Sequence, residues 1–132
     1  QFRAKVKDLF RKGKGRNLGR FVLEDLNPLL RGWTDYFCLC ETRKFAKELD
    51  SWVRRRLRKV IWQQGKRNKT RFKRLTNRGI DEERAWKSVF NGRGPWWNAG
   101  ASHMNQAFPN SYFNTIGLVS ILGRLNYWKT KT

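Results

Sequence analysis

The stretch LDSWVRRRLRKVIWQQ, Leu49 to Gln64, decides the fold class. Its apolar residues Leu49, Trp52, Val53, Leu57, Val60 and Ile61 recur three and four positions apart, the period of an α-helix with one buried face. Phe45 continues the period upstream, so the helix is predicted to run from Arg43 to Gln64. The opposite face gathers Arg54, Arg55, Arg58 and Lys59, and like charges four residues apart lie one above the other and repel. A helix that accepts this repulsion carries a positive stripe suited to an anionic partner.

The same logic extends outward. Between Asn17 and Cys40, Val22, Leu26, Leu29, Trp33 and Phe37 keep a helical period that Leu30 and Tyr36 widen. Asn27-Pro28 interrupts it, because proline lacks an N–H and disfavours helical geometry before it, so a kink or restart is predicted near Asn27. Downstream, Gly79-Ile80-Asp81-Glu82-Glu83 reads as a helix start, with Asp81 as N-cap and acids in the first turn. Asn91-Gly92 marks its end. The run GRGPWWNAGASHMNQA, Gly92 to Ala107, is predicted to be irregular and anchored by Trp96 and Trp97, before a short helix from Pro109 to Ile116 stopped by Gly117. The expected fold is all-α: a bundle of about three main helices over residues 1–91, with an irregular C-terminal extension containing a short helix over 92–132.

The chain has 132 residues, 30 Lys+Arg against 10 Asp+Glu, a net charge of +20 and a pI near 11.1. With 39% hydrophobic and 14% aromatic residues it can build a core, so it is not a disordered basic tail. No stretch approaches the length of a membrane span, and QFRAKVKDLFRK at the N-terminus has no signal-peptide core. The expected setting is cytoplasmic, with no membrane partner. The two cysteines, Cys38 and Cys40, fit a reducing compartment, and the missing initiator Met is expected of a fragment. Charge is segregated: residues 1–20 hold eight basic side chains against Asp8, residues 21–51 hold four against six acids, and residues 52–78 hold twelve and no acid.

That last block carries the main functional expectation. Arginine forks grip phosphate oxygens bidentately and lysines add point charges, so a helical row beside the flexible basic loop QQGKRNKTRFKR suits a nucleic-acid backbone. The named contacts are Arg54, Arg55, Arg56, Arg58, Lys59, Lys66, Arg67, Lys69, Arg71, Lys73 and Arg74. A cationic run on a helix is commonly a solvated face, but here no acids interleave. Folded RNA is favoured because no helix-turn-helix, zinc-finger or RNP motif is legible. Most aromatic residues belong to the core, among them Trp33, Phe37, Phe45 and Trp52, whereas Trp62, Phe72, Trp96 and Trp97 lie in basic or irregular sequence and are candidates for stacking on bases.

Catalytic and metal chemistry are poorly supplied. Cys38 and Cys40, two apart on a helix, point to different faces, and only His103 could join them. The acids Glu24, Asp25, Asp35, Glu41, Glu48 and Asp50 form no two-carboxylate motif and are assigned to salt bridges. No phosphate-cradling loop or nucleophile elbow occurs. The expectation is a binding chain without a catalytic centre, cofactor or metal of its own.

LNPLLRGWTDYF (Leu26 to Phe37) and LDSWVRRRLRKVIWQQ resemble the maturase-specific region, also called domain X or the thumb, of group II intron-encoded reverse transcriptases. GIDEERAW (Gly79 to Trp86) and the run from Gly92 to Leu122 look like the C-terminal continuation of bacterial members. The resemblance implies a helical thumb that grips group II intron RNA, aids its splicing, and holds template–primer duplex beside the palm and fingers of the same polypeptide. The YxDD-type palm motif is missing from this stretch, so Mg2+ is expected only in the polymerase palm. The Cys-rich endonuclease module that some members append is also missing. The resemblance adds Arg31, within LLRGW, to the contacts and supports Arg54, Arg55, Arg56 and Arg58. Arg56 lies closest to the apolar stripe, where anchoring a buried acid or a helix end is the competing role. A stand-alone architectural or ribosomal-type basic protein is the alternative reading.

Overall fold

The computed structural model describes residues 1–13, 15–37 and 43–131, and all its regular elements are helical. α1 is Phe2–Lys12. α2 (Leu18–Phe21) runs through a π-helical turn, Val22–Leu26, into α3 (Asn27–Phe37). α4 is Arg43–Gln64, as its apolar period predicts. Then follow α5 (Asn68–Asn77), α6 (Glu82–Val89), α7 (Pro95–Gly100), α8 (Ser102–Ala107), α9 (Asn110–Thr115) and α10 (Ile121–Lys131). The all-α expectation holds, but six of these helices reach eight residues or more, in place of about three.

Two further differences have clear causes. The basic stretch after Gln64 is helical over Asn68–Asn77 where a flexible loop was predicted. It has too few apolar residues for a legible period, yet Leu75 is buried and Phe72 finds an aromatic partner. Gly92 to Ala107, predicted irregular, contains α7 and α8, the first opened by Pro95 at its start, where a missing N–H is harmless. The break near Asn27 is the π-helical turn: it precedes Pro28, and the helical path continues through it. Asp81 caps α6 as predicted, its carboxylate accepting the Arg84 backbone N–H at 3.0 Å. Gly117, at φ +95°, follows α9 in a conformation open to glycine.

The chain divides into two compact units, one of residues 1–53 with 114–132 and one of Arg54–Phe113. In the first, Phe2, Val6 and Phe10 form the buried face of α1, joined by Phe21, Val22, Leu26, Leu30, Leu49 and Val53. Phe10 meets Phe21 edge-on at 5.1 Å, and Gly13 leaves room for that ring, since a Cβ there would lie 2.3 Å from it. α10 packs against α3. Two buried polar side chains organise this unit. Asn27 donates from Nδ2 to the Gly117 carbonyl at 2.8 Å and accepts the Val119 N–H on Oδ1 at 2.9 Å. Asp50 receives the N–H groups of Ile121 at 2.7 Å and Leu122 at 3.0 Å and the Ser120 hydroxyl at 3.2 Å, capping α10. Asp50 is thus a helix cap, whereas the salt-bridge role assigned to the acids holds for Glu24 and Asp25, which pair with Arg16 and, for Glu24, Arg20.

In the second unit Leu57, Ile61, Leu75, Ile80, Ala85, Val89, Met104 and Phe113 are among the core residues, with α5 packed on α6 and on α8.

Candidate nucleic-acid interface

Six-residue helices close few internal hydrogen bonds and leave carbonyl oxygens in need of donors. In the second unit arginines supply them. Arg55 donates to the Trp96 carbonyl from Nε at 3.2 Å and from Nη2 at 2.8 Å, with its guanidinium 4.0 Å from the Trp96 ring centre. Arg58, only 5% exposed, donates from Nε to the Phe108 carbonyl at 2.8 Å and from Nη2 to Asn110 Oδ1 at 3.2 Å. Burial, reinforced by the nearby Arg54 charge, brings the Arg58 pKa down to about 10. Arg78 donates to the Ala107 carbonyl at 2.7 Å and lies over the Tyr112 ring at 4.8 Å. At the C-terminus of α4, Arg71 and Arg74 donate to the Trp62 and Ile61 carbonyls at 2.9 and 3.1 Å, the favourable end of the helix dipole for a cation. Burial lowers the Arg71 pKa, and that of Arg56, whose guanidinium lies 5.8 Å from the Trp96 ring centre.

The predicted contact set therefore separates. Arg55, Arg58, Arg71 and Arg74 hold backbone carbonyls within the second unit. Arg54, Arg56 and Lys59 are half-buried and engaged in further interactions. Lys66, Arg67, Lys69 and Lys73 are exposed, in the α4–α5 turn and on α5. Arg31 is exposed in the first unit and lines a cavity of about 560 Å³ with Val119, Ser120, Gly123, Arg124 and Tyr127. The sequence reading missed Arg78, whose signal is its place in the acid-free block.

The aromatic candidates separate in the same way. Trp62 is 4% exposed and packed against Arg71 and His103, so its ring is covered and is not available to a base. Phe72 stacks on Trp86. Trp96 and Trp97 remain partly exposed, under Arg55 and Arg93 respectively.

His103 is buried, and its Nε2 donates to Asn98 Oδ1 at 3.0 Å. The same oxygen accepts from Asn91 at 2.7 Å, while Asn98 Nδ2 donates to the Arg93 and Gly94 carbonyls. Burial, with Arg84 nearby, pushes the His103 pKa below its ordinary 6.5, so the neutral ring is the native form. A folded-state value below the unfolded one means that stability is fully present above pH 6.5 and falls as pH drops from there through the lowered value. His103 is the only histidine, so thermal melts between pH 7 and 5 should show this loss, and the His103→Gln chain should show a flatter profile. An unchanged slope would place the acid sensitivity elsewhere.

Among the described residues no group of three His, Cys, Asp or Glu side chains is arranged to hold a metal, and Cys38 and Cys40 lie outside them. Nor is any helix among them long and apolar enough to cross a membrane.

Fold and charge together define a helical, strongly basic module whose second unit is braced by arginine–carbonyl contacts. Residues 1–79 match the model of the family described as group II intron, maturase-specific domain, and the chain belongs to that family. No curated protein matches the chain.

Proposed function

We propose that this chain is the RNA-gripping thumb and maturase portion of a group II intron reverse transcriptase. It binds structured intron RNA to aid splicing and holds template–primer duplex for the palm and fingers of the same polypeptide. Residues 1–91 act as the thumb and residues 92–132 as its C-terminal extension, a division by function. The observation that carries the reading is the acid-free block 52–78 in a maturase-family chain, from which Lys66, Arg67, Lys69 and Lys73 project into solvent. These four, with Arg31, are the phosphate contacts. Arg55 and Arg58 act through the protein, by anchoring the segment that follows α6.

The test is binding of the full chain to a folded group II intron RNA and to an unrelated folded RNA of equal length across a salt series. With six to ten phosphates neutralised, affinity should fall roughly 10³- to 10⁵-fold between about 50 and 200 mM salt. Changing Lys66, Arg67, Lys69 and Lys73 together to Gln should lower the log–log salt slope by about 3, since each phosphate contact contributes about 0.7 to 0.9. The intron RNA should retain an advantage at physiological salt. Salt-insensitive binding, or a slope unmoved by the four changes, would overturn the assignment.

A further inference from the structure

On α6 the core stripe is Ala85, Ser88 and Val89, which leaves Trp86, and Phe90 at the C-cap four residues on, outside that stripe. They are 43% and 64% exposed, and Phe90 is the most exposed of the large apolar side chains among the described residues. Their rings continue a stack begun by Phe72 of α5. The Phe72 and Trp86 centroids are 4.2 Å apart at 21°, and those of Trp86 and Phe90 are 5.6 Å apart at 20°. Three rings at such small interplanar angles form a column, with its inner ring half-buried and its outer ring open to solvent. Isolated aromatic pairs favour edge-to-face as often as offset-parallel packing, and several other pairs in this chain are edge-on. The parallel column is the arrangement that a nucleobase extends without reorientation.

The surrounding charge selects the occupant. Residues 54–113 carry fifteen Lys/Arg against three acids, and two of those acids are engaged, Asp81 as the α6 cap and Glu83 in an ion pair with Lys87. Lys69 and Lys73, exposed, flank Phe72 on α5. A second copy of this chain, at +20, would bring its own positive charge to this face. A polyanion with an unstacked base meets both features, its phosphates reaching the lysines and its base capping the column.

We propose that Phe72, Trp86 and Phe90 form a stacking platform for one unpaired nucleobase of the bound RNA, flanked by Lys69 and Lys73. This rests on the RNA-binding reading above, and it adds base capture at a site whose two exposed rings, Trp86 and Phe90, lie beyond residue 79, where the family match ends.

The test uses the full chain and two RNA hairpins at matched salt. One is fully paired; the other carries a single bulged 2-aminopurine. The bulged hairpin should bind roughly 5- to 150-fold more tightly, with quenched 2-aminopurine fluorescence. Phe90→Ala, at a largely exposed position, should abolish both the advantage and the quenching while leaving affinity for the paired hairpin and the melting temperature unchanged. Trp86→Leu should do the same, and its melt shows whether the column also supports the fold. Equal binding of both hairpins without quenching would overturn the platform while leaving phosphate-driven binding intact, and would turn the aromatic face into a docking surface for protein. Failure to bind either hairpin would overturn the RNA-binding reading itself.

Discussion

Asp50→Ala is expected to lower the unfolding free energy by about 3 to 4 kcal/mol, the sum of two charge-assisted hydrogen bonds at about 1.5 to 3 kcal/mol each, less what relaxation recovers. Asp50 is 7% exposed, and its carboxylate accepts the first two N–H groups of α10, the donors that a helix cannot satisfy internally. Negative charge at a helix N-terminus adds to this. Alanine leaves the Ile121 N–H, in a buried bond, with no acceptor from this side chain. Asp50→Asn keeps one oxygen but turns an NH2 group toward the second donor, so about half the loss should remain. Denaturant unfolding gives the total, and hydrogen exchange shows where it falls: the amides at the start of α10 should lose protection first. A loss under about 1 kcal/mol for alanine would mean that water replaces the cap at little cost.

Arg58→Ala should cost about 3 kcal/mol. It removes the donor to the Phe108 carbonyl and the partner of Asn110, and it empties a site among packed side chains. Arg58→Met separates the contributions. The environment disfavours the charge, as the lowered pKa of about 10 shows, and methionine removes that penalty while filling most of the volume. Methionine should therefore be the milder change, by about 1 kcal/mol or more. If the two variants were equally unstable, the carbonyl contact alone would account for the loss. The comparison also governs how RNA binding is read. A variant combining Arg54, Arg55 and Arg58 changes would lose affinity through unfolding, whereas Lys66, Arg67, Lys69 and Lys73 can be changed on an intact fold.

The helical class, the bounds of α4, the Asp81 cap and the segregation of charge are all local properties, set by the period of apolar residues and by capping chemistry, and they were legible from sequence. So were the motifs that place residues 1–79 in the maturase-specific family. What tertiary structure alone decided is which cations face solvent. Arg55 and Arg58 sit where helical periodicity predicts an open polar face, but a later run of short helices needs donors for its carbonyl oxygens, and guanidinium groups can be buried while supplying them. Periodicity describes one helix at a time and says nothing of what a distant segment will lay over it. The tertiary roles of Asn27, read only as a helix break, and of Asp50, read as a salt-bridge acid, were illegible for the same reason: their partners lie about 70 to 90 residues away in sequence, at Gly117, Val119, Ile121 and Leu122. The exposed column of Phe72, Trp86 and Phe90 likewise joins two helices, and only their packing brings the rings into one stack.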